Sequence, residues 1–223
     1  MFQFEQELIS KGIRYVAAID EVGRGCLAGP MAVGCVVYDL HEVGKWLEQN
    51  IADEQNSETL WINDVKDSKK LSAKKREKLA ELILHNTVTS KVFLIENSQI
   101  DENGISWAEK FGFSQALKLC EVEVDFVLTD AFPVLTVHKA LQKNIIGGDA
   151  VSFSIASASI FAKVTRDKLM VENHEAWPVY GFDKHKGYGT AFHLQMIKEN
   201  GICNIHRKSF EPIKSMHKIS ANK

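Results

Sequence analysis

No run of apolar residues in this 223-residue chain is long enough to cross a bilayer, which excludes a helical membrane protein. Met1-Phe2-Gln3-Phe4-Glu5 has no basic leader running into an apolar stretch, so no secretory signal is expected and a cytoplasmic location is. Cysteine is sparse. Cys26, Cys35, Cys120 and Cys203 form no Cys-x-x-Cys pair, which argues against a zinc site or a disulfide framework and for a reducing compartment. The chain also lacks internal repeats, low-complexity tracts and Pro- or Ser-rich linkers, so one domain over 1–223 is expected. An excess of positive charge is missing too, the net charge being −2. Its distribution is more telling than its sum. Up to residue 62 only Lys11, Arg14, Arg24 and Lys45 stand against ten acids, whereas Lys66–Lys78 holds seven bases against Asp67 and Glu77. A solvated helix face accounts for Lys74, Lys75, Arg76 and Lys78; a local basic patch on a polarised chain also suits phosphate binding.

β-branched and aromatic enrichment predicts strands at 14–20, 32–38, 88–95 and 124–130. Ser72 is a candidate N-cap for a helix to about Asn86, with Leu79, Leu82 and Ile83 on its buried face. A second helical region begins near Ser98, with an imperfect stripe from Ile105 to Cys120. A third helix covers 154–175 and stops before Pro178; a fourth starts at a Thr190 cap and ends at Gly201. Strands followed by alternating strands and helices imply an α/β domain around a mixed sheet. The small residues Ala156, Ser157, Ala158 and Ser159 would let the third helix approach a neighbour closely, although both serines can also bond back to the preceding turn.

The chemistry-bearing residues lie at strand ends. The run Tyr15–Ile19 reads as a buried strand leading into Asp20-Glu21-Val22-Gly23-Arg24-Gly25. Two charges are not carried into a core unpaired, and a divalent cation is one way to hold them. Successive strand residues face opposite sides, so both acids reach one site only if the strand breaks, which Gly23 and Gly25 would permit. A charged turn capping the strand is the plainer reading. Val124–Thr129 is a second apolar strand ending in an acid, Asp130, which alone reads equally as a turn residue. Asp167 lies four residues after Lys163, the spacing of an ordinary helical ion pair. Tyr188, in Lys186-Gly187-Tyr188-Gly189, is evenly balanced between a turn tyrosine and a sugar contact.

These segments resemble the type 2 ribonuclease H (ribonuclease HII) family in five ordered blocks: Asp20–Pro30, Asp67–Ser72, Ala162–Asp167, Lys186–Thr190 with His193, and His206–Phe210. The chain departs from the family's pattern in Ser157, in Ala131 where glycine is usual, and in a longer acidic connection at 39–66. The resemblance implies the ribonuclease H fold, a mixed five-stranded sheet flanked by helices. A catalytic core at about 14–175 would be followed by a helical C-terminal region at about 176–223. It also implies that Asp20, Glu21, Asp130 and Asp167 form a four-carboxylate site. Four such acids repel one another unless cations intervene, and two Mg²⁺ or Mn²⁺ ions would provide both that neutralisation and in-line phosphodiester hydrolysis. Gly23, Arg24, Gly25 and Tyr188 are implied to read a ribonucleotide, and Lys69 is the expected phosphate contact. The expected substrates are RNA–DNA hybrids and DNA containing ribonucleotides, cleaved by a monomer. A type 3 ribonuclease H, a catalytically silent hybrid-binding module and a DNA nuclease of similar fold are the alternatives.

Overall fold

The computed structural model describes residues 1–52 and 59–216. Strands β1 (Tyr15–Val22), β2 (Met31–Asp39), β3 (Thr89–Ile95), β4 (Phe126–Asp130) and β5 (Gln142–Ile145) make one sheet in the order β3-β2-β1-β4-β5. The first three are antiparallel neighbours, and β4 and β5 join parallel to β1. The helices are α1 (Gln3–Ser10), α2 (Leu40–Ala52), α3 (Ala73–Asn86), α4 (Asn97–Asn103), α5 (Ile105–Leu119), α6 (Phe153–Ala176), α7 (Phe182–His185) and α8 (Ala191–Asn200). This is the expected mixed five-stranded α/β architecture. The four strands read from sequence are present, and β5 is the additional one.

The central strand β1 is covered on both faces, which is why its sequence is continuously apolar before the acids. Val16 and Ala18 pack with Val36, Tyr38 and Leu128 beneath α3 and α6, while Ala17 and Ile19 pack with Val33, Cys35 and Val127 beneath α5. A third cluster joins Leu27 and Ala28 to Met170, Tyr180, Phe182, Ile197 and Ile213, so the C-terminal helical region rests on the β1–β2 loop as well as on α6.

The caps behave as their side chains dictate. Ser72 Oγ accepts from Lys75 N–H (3.3 Å) and Thr190 Oγ1 from His193 N–H (3.2 Å). The second helical region is divided into α4 and α5 at Gly104, whose φ of +83° continues neither helix. Long α6 is anchored at its N-terminus by Glu5, whose carboxylate accepts from Ser152 Oγ (2.7 Å) and Ser154 N–H (2.9 Å) where helix amides lack internal partners. In the 39–66 stretch, Trp46 and Trp61 pack against Tyr38 and Phe153, making α2 part of the α6-side core. Residues 53–58 of that stretch, and the tail 217–223, lie outside the described residues.

Close approach of α6 to the sheet is the feature that positions the site. A Cβ at Gly34 of β2 would lie 2.5 Å from the Ala158 carbonyl oxygen and 3.0 Å from the Ala162 Cβ. Ser157 does bond back, to the Phe153 carbonyl (2.9 Å), and also accepts from the Tyr38 hydroxyl (3.0 Å). Gly34→Ala should therefore force the helix off the sheet and lower stability by about 1–3 kcal/mol. A urea titration checks this, and a midpoint equal to that of the parent would contradict the packing.

Candidate active site

Asp20 and Glu21 both lie within β1, opposite Gly34 and Val33 of β2. The expected break in β1 is therefore absent. The discontinuity lies in its other neighbour: pairing with β4 stops at Ile19↔Thr129, and Asp130 ends β4 just beyond. Past that point the two acids, directed to opposite faces, still bring oxygens together with Asp130. Ligand atoms of Asp20, Glu21 and Asp130 all lie within 4.8 Å of one another.

Asp20 is 4% exposed, its Oδ1 accepts the Glu21 N–H (2.8 Å), and Ser159 of α6 hydrogen-bonds to it. Asp130 Oδ1 accepts from Gly148 N–H (2.7 Å), and Glu21 Oε2 is buried without a hydrogen-bond partner. Burial first, and then the charges of Asp130 and Asp149, push the Asp20 carboxyl up to about 7. Burial, then Asp20, Glu109 and Asp130, push Glu21 up to about 8. Asp130 is raised by the same causes, burial ahead of Asp149. A tight group of carboxylates that resist ionising together, one with an orphan oxygen and all offering hard oxygen donors, is a fit for divalent Mg²⁺ or Mn²⁺.

Asp167 does not join this group. Its carboxylate lies 2.7 Å from Lys163 Nζ and 3.6 Å from Arg76, and it lines a separate groove of about 390 Å³ beside α3. The helical ion pair read from the sequence is thus present, and the expected fourth place beside Asp20 is not filled by Asp167. The reason is distance along α6: Ser159 is the residue of that helix that meets Asp20, and Asp167 follows two turns later. The acid that does act on the trio is Asp149, 7% exposed, whose charge bears on both Asp20 and Asp130. The sequence conceals it because β5 is short and polar, so Gly147-Gly148-Asp149 does not read as another strand end carrying an acid.

The trio opens into a cleft of about 170 Å³ lined also by Gly23, Arg24, Gly25, Ser68, Lys69, Lys163 and Tyr188. All the expected substrate-binding residues therefore share one space with three of the four expected acids. Gly25 has nothing within 4 Å of where a Cβ would sit, leaving that side open to a ligand. Gly23, at φ +87°, is different: a Cβ there would collide with the Arg166 guanidinium. The Arg24 side chain is ion-paired to buried Glu109 of α5 and lies over the Phe132 ring at 5.7 Å, so its charge is partly engaged at the edge of the cleft that Arg24 helps to line. Lys69 Nζ is 3.4 Å from Asp149. Tyr188 is 40% exposed, with Lys163 Nζ 5.7 Å from its ring centroid, and burial pushes its phenol up, keeping it a proton donor.

Among the described residues no helix is long and apolar enough to cross a membrane. The sheet order and the strand-end acids define the ribonuclease H architecture. Solved structures with the same fold include the ribonuclease H2 of Pyrococcus horikoshii OT3, at TM-score 0.72 and 22% identity over 94% of this chain and all of that one. Another is Bst-RNase HIII in complex with Mn²⁺, at TM-score 0.68 and 17% identity over 94% of this chain and 71% of that one. The sequence pattern of the Ribonuclease HII family matches residues 17–213. The Ribonuclease HII of Caldicellulosiruptor saccharolyticus is 40% identical over 209 residues, 94% of this chain and 93% of that protein. The chain belongs to the ribonuclease HII family and is an enzyme of the ribonuclease H class.

Because burial and mutual repulsion raise Asp20 to about 7 and Glu21 to about 8, cation binding near neutrality must displace protons. Mg²⁺ affinity should rise with pH between about 6 and 8.5, by about tenfold per unit while one proton is released per ion. Calorimetry in two buffers of different ionisation enthalpy measures the release, and a pH-independent affinity would contradict the raised acids.

Proposed function

We propose that this protein is a metal-dependent endonuclease that cleaves the RNA strand of RNA–DNA hybrids and incises DNA at embedded ribonucleotides, acting as a monomer. The observation carrying this reading is the convergence of Asp20, Glu21 and Asp130 in one cleft with the Gly23–Gly25 turn and Tyr188. Chemistry and sugar recognition thereby share one space.

Asp20, Glu21 and Asp130 would hold two divalent ions, with Asp149 in the fourth place that sequence reading assigns to Asp167. When bound, those ions supply a water of lowered pKa and neutralise charge at the phosphodiester, giving 5′-phosphate and 3′-hydroxyl ends. Bst-RNase HIII, which shares the fold, forms a complex with Mn²⁺, and this supports the choice of ion. The chain's own groups do the rest. Lys69 and Lys163 offer positive charge to backbone phosphates, which positions the duplex without reading the sugar. Tyr188 offers a phenol donor and a ring face, and the open side of Gly25 admits the ribose, so the 2′-hydroxyl is sensed where it differs from hydrogen. Ser159 holds Asp20, and Gly148 N–H holds Asp130, fixing the carboxylates before any ligand arrives.

Three experiments test this reading. Cleavage should disappear with a chelator and return with Mg²⁺ or Mn²⁺ but not Ca²⁺, which favours longer bonds and more ligands. Asp130→Asn and Asp149→Asn should each lower turnover by about a hundredfold or more with unfolding midpoints unchanged, and Asp167→Asn by much less. Equal losses at Asp149 and Asp167 would restore Asp167 to the ion-binding group, and near-normal turnover of Asp130→Asn would overturn the site. For recognition, Tyr188→Ala should reduce incision at a single ribonucleotide about tenfold more than cleavage of a long hybrid, since a lone junction offers one hydroxyl in one register. Kinetics on both substrates at matched ionic strength check this, and equal losses would make Tyr188 structural.

A further inference from the structure

Three histidines near Tyr188 take no part in the chemistry above: His185, which stacks on His193 at 4.4 Å between ring centroids, and two that are fully buried. His193 (α8) and His206 are each 0% exposed and face one another through their Nε2 atoms at 3.0 Å. Their outer nitrogens fix the protons. Cys203 N–H donates to His206 Nδ1 (2.9 Å), so that nitrogen carries no proton and the His206 proton sits on Nε2. His206 Nε2–H must then donate to His193 Nε2, which leaves the His193 proton on Nδ1, 2.9 Å from the Tyr188 carbonyl it donates to. This arrangement satisfies the three shortest contacts of the chain and also lets His206 Nδ1 accept from the Cys203 thiol (3.1 Å), leaving unused only the longer approach of His206 Nδ1 to the Cys203 carbonyl (3.4 Å). A second proton on either ring would point N–H at N–H.

The relay ends on one half of the proposed ribose sensor and starts beside the other. His206 forms an antiparallel bridge with Ala28, just past the glycine turn. Its neighbour Arg207 donates to the carbonyls of Arg24 (2.8 Å) and Gly29 (3.0 Å). One dipeptide thus grips the Gly-Arg-Gly turn directly and, through His193, the backbone of Tyr188. We infer that His206 is a positioning residue for ribonucleotide recognition, setting Tyr188 against the Gly23–Gly25 turn through a neutral His206–His193 hydrogen-bond relay. This rests on the proposed role of Tyr188. Burial pushes both imidazoles down to about 4, in keeping with two uncharged rings.

The test compares His206→Leu, which removes the donor, with His206→Gln, whose amide can still donate to His193. Both are measured on a duplex with one ribonucleotide and on a long hybrid. His206→Leu should lower the ratio of the two kcat/KM values by about 3- to 30-fold, with the loss on the single-ribonucleotide duplex mainly in KM. His206→Gln should restore most of it. In a Tyr188→Ala background, His206→Leu should have no further effect on the ratio, because a residue acting through Tyr188 cannot act without it. Ring-¹⁵N NMR of the unmodified protein should show His206 as the Nε2–H tautomer and His193 as Nδ1–H, a readout that does not depend on any variant folding. An unchanged ratio in His206→Leu, additive losses in the double variant, or either ring in the opposite tautomer would overturn the inference. If Tyr188→Ala itself leaves the ratio unchanged, the reading of Tyr188 has failed instead, and the tautomers still report whether the relay exists.

Discussion

Two buried guanidinium groups hold the rest of this structure in register. Arg166 and Arg207 are both 0% exposed, and their partners are main-chain carbonyls: Pro30, Lys186 and Ala28 for Arg166, Gly29 and Arg24 for Arg207. Removing a charge from water costs several kcal/mol, and each hydrogen bond to a charged group returns about 1.5–3 kcal/mol. The cost is met only while all these carbonyls stay in place together. The β1–β2 loop, α6 and the Lys186–Tyr188 segment are therefore fixed as one unit. Gly23 illustrates the constraint, since its missing side chain makes room for Arg166 rather than for a ligand.

Charge around the cleft is arranged on the same frame. Three acids line the cleft from the ends of β1 and β4, and Asp149, in the turn after β5, pairs with Lys69, which lines the cleft together with Lys163. The pair Lys163–Asp167 belongs to this arrangement: Asp167, also near Arg76, holds a lysine whose ammonium lies over the Tyr188 ring. An acid in that position sets where a cation stands. The arrangement leaves the inner acids under-compensated, which is why burial and mutual repulsion raise Asp20 and Glu21 so far.

The sheet is legible in the sequence because β1, β2 and β4 are largely buried apolar runs and edge strand β3 is rich in β-branched and aromatic residues; β1, β2, β3 and β4 all fall within two residues of their expected limits. Helix ends at Ser72, Thr190 and Gly201 are legible because capping is local chemistry. β5 is not, since Gln142-Lys143-Asn144-Ile145 is an edge strand whose outer surface is wet. Asp149 is hidden with it. Asp167 lies apart from the trio for a related reason: membership of a resembling block places a residue on α6, and says nothing of how far along the sheet that turn of helix lies. The meeting of Glu21 with Asp20 depends on where β4 ends, a fact about the partner strand that β1's own sequence does not contain.

On the proposed reading, these placements couple recognition and chemistry mechanically. Asp20 and Glu21 precede the glycine turn by only a few residues, so any shift of the turn toward a sugar moves the strand end that carries the acids. A flexible turn would therefore blur the proposed catalytic group. The protein avoids this by clamping the turn from the far side, through carbonyls that accept from Arg207 and Arg166, which leaves its ligand-facing side untouched. Tyr188 is treated alike: its carbonyl is held by His193 and the preceding Gly187 carbonyl accepts from Leu27 N–H (2.8 Å), while the ring remains partly exposed. The C-terminal region can then be understood as the rigid backing of the proposed sensor, whose working surface would lie on the other side of the same peptide groups.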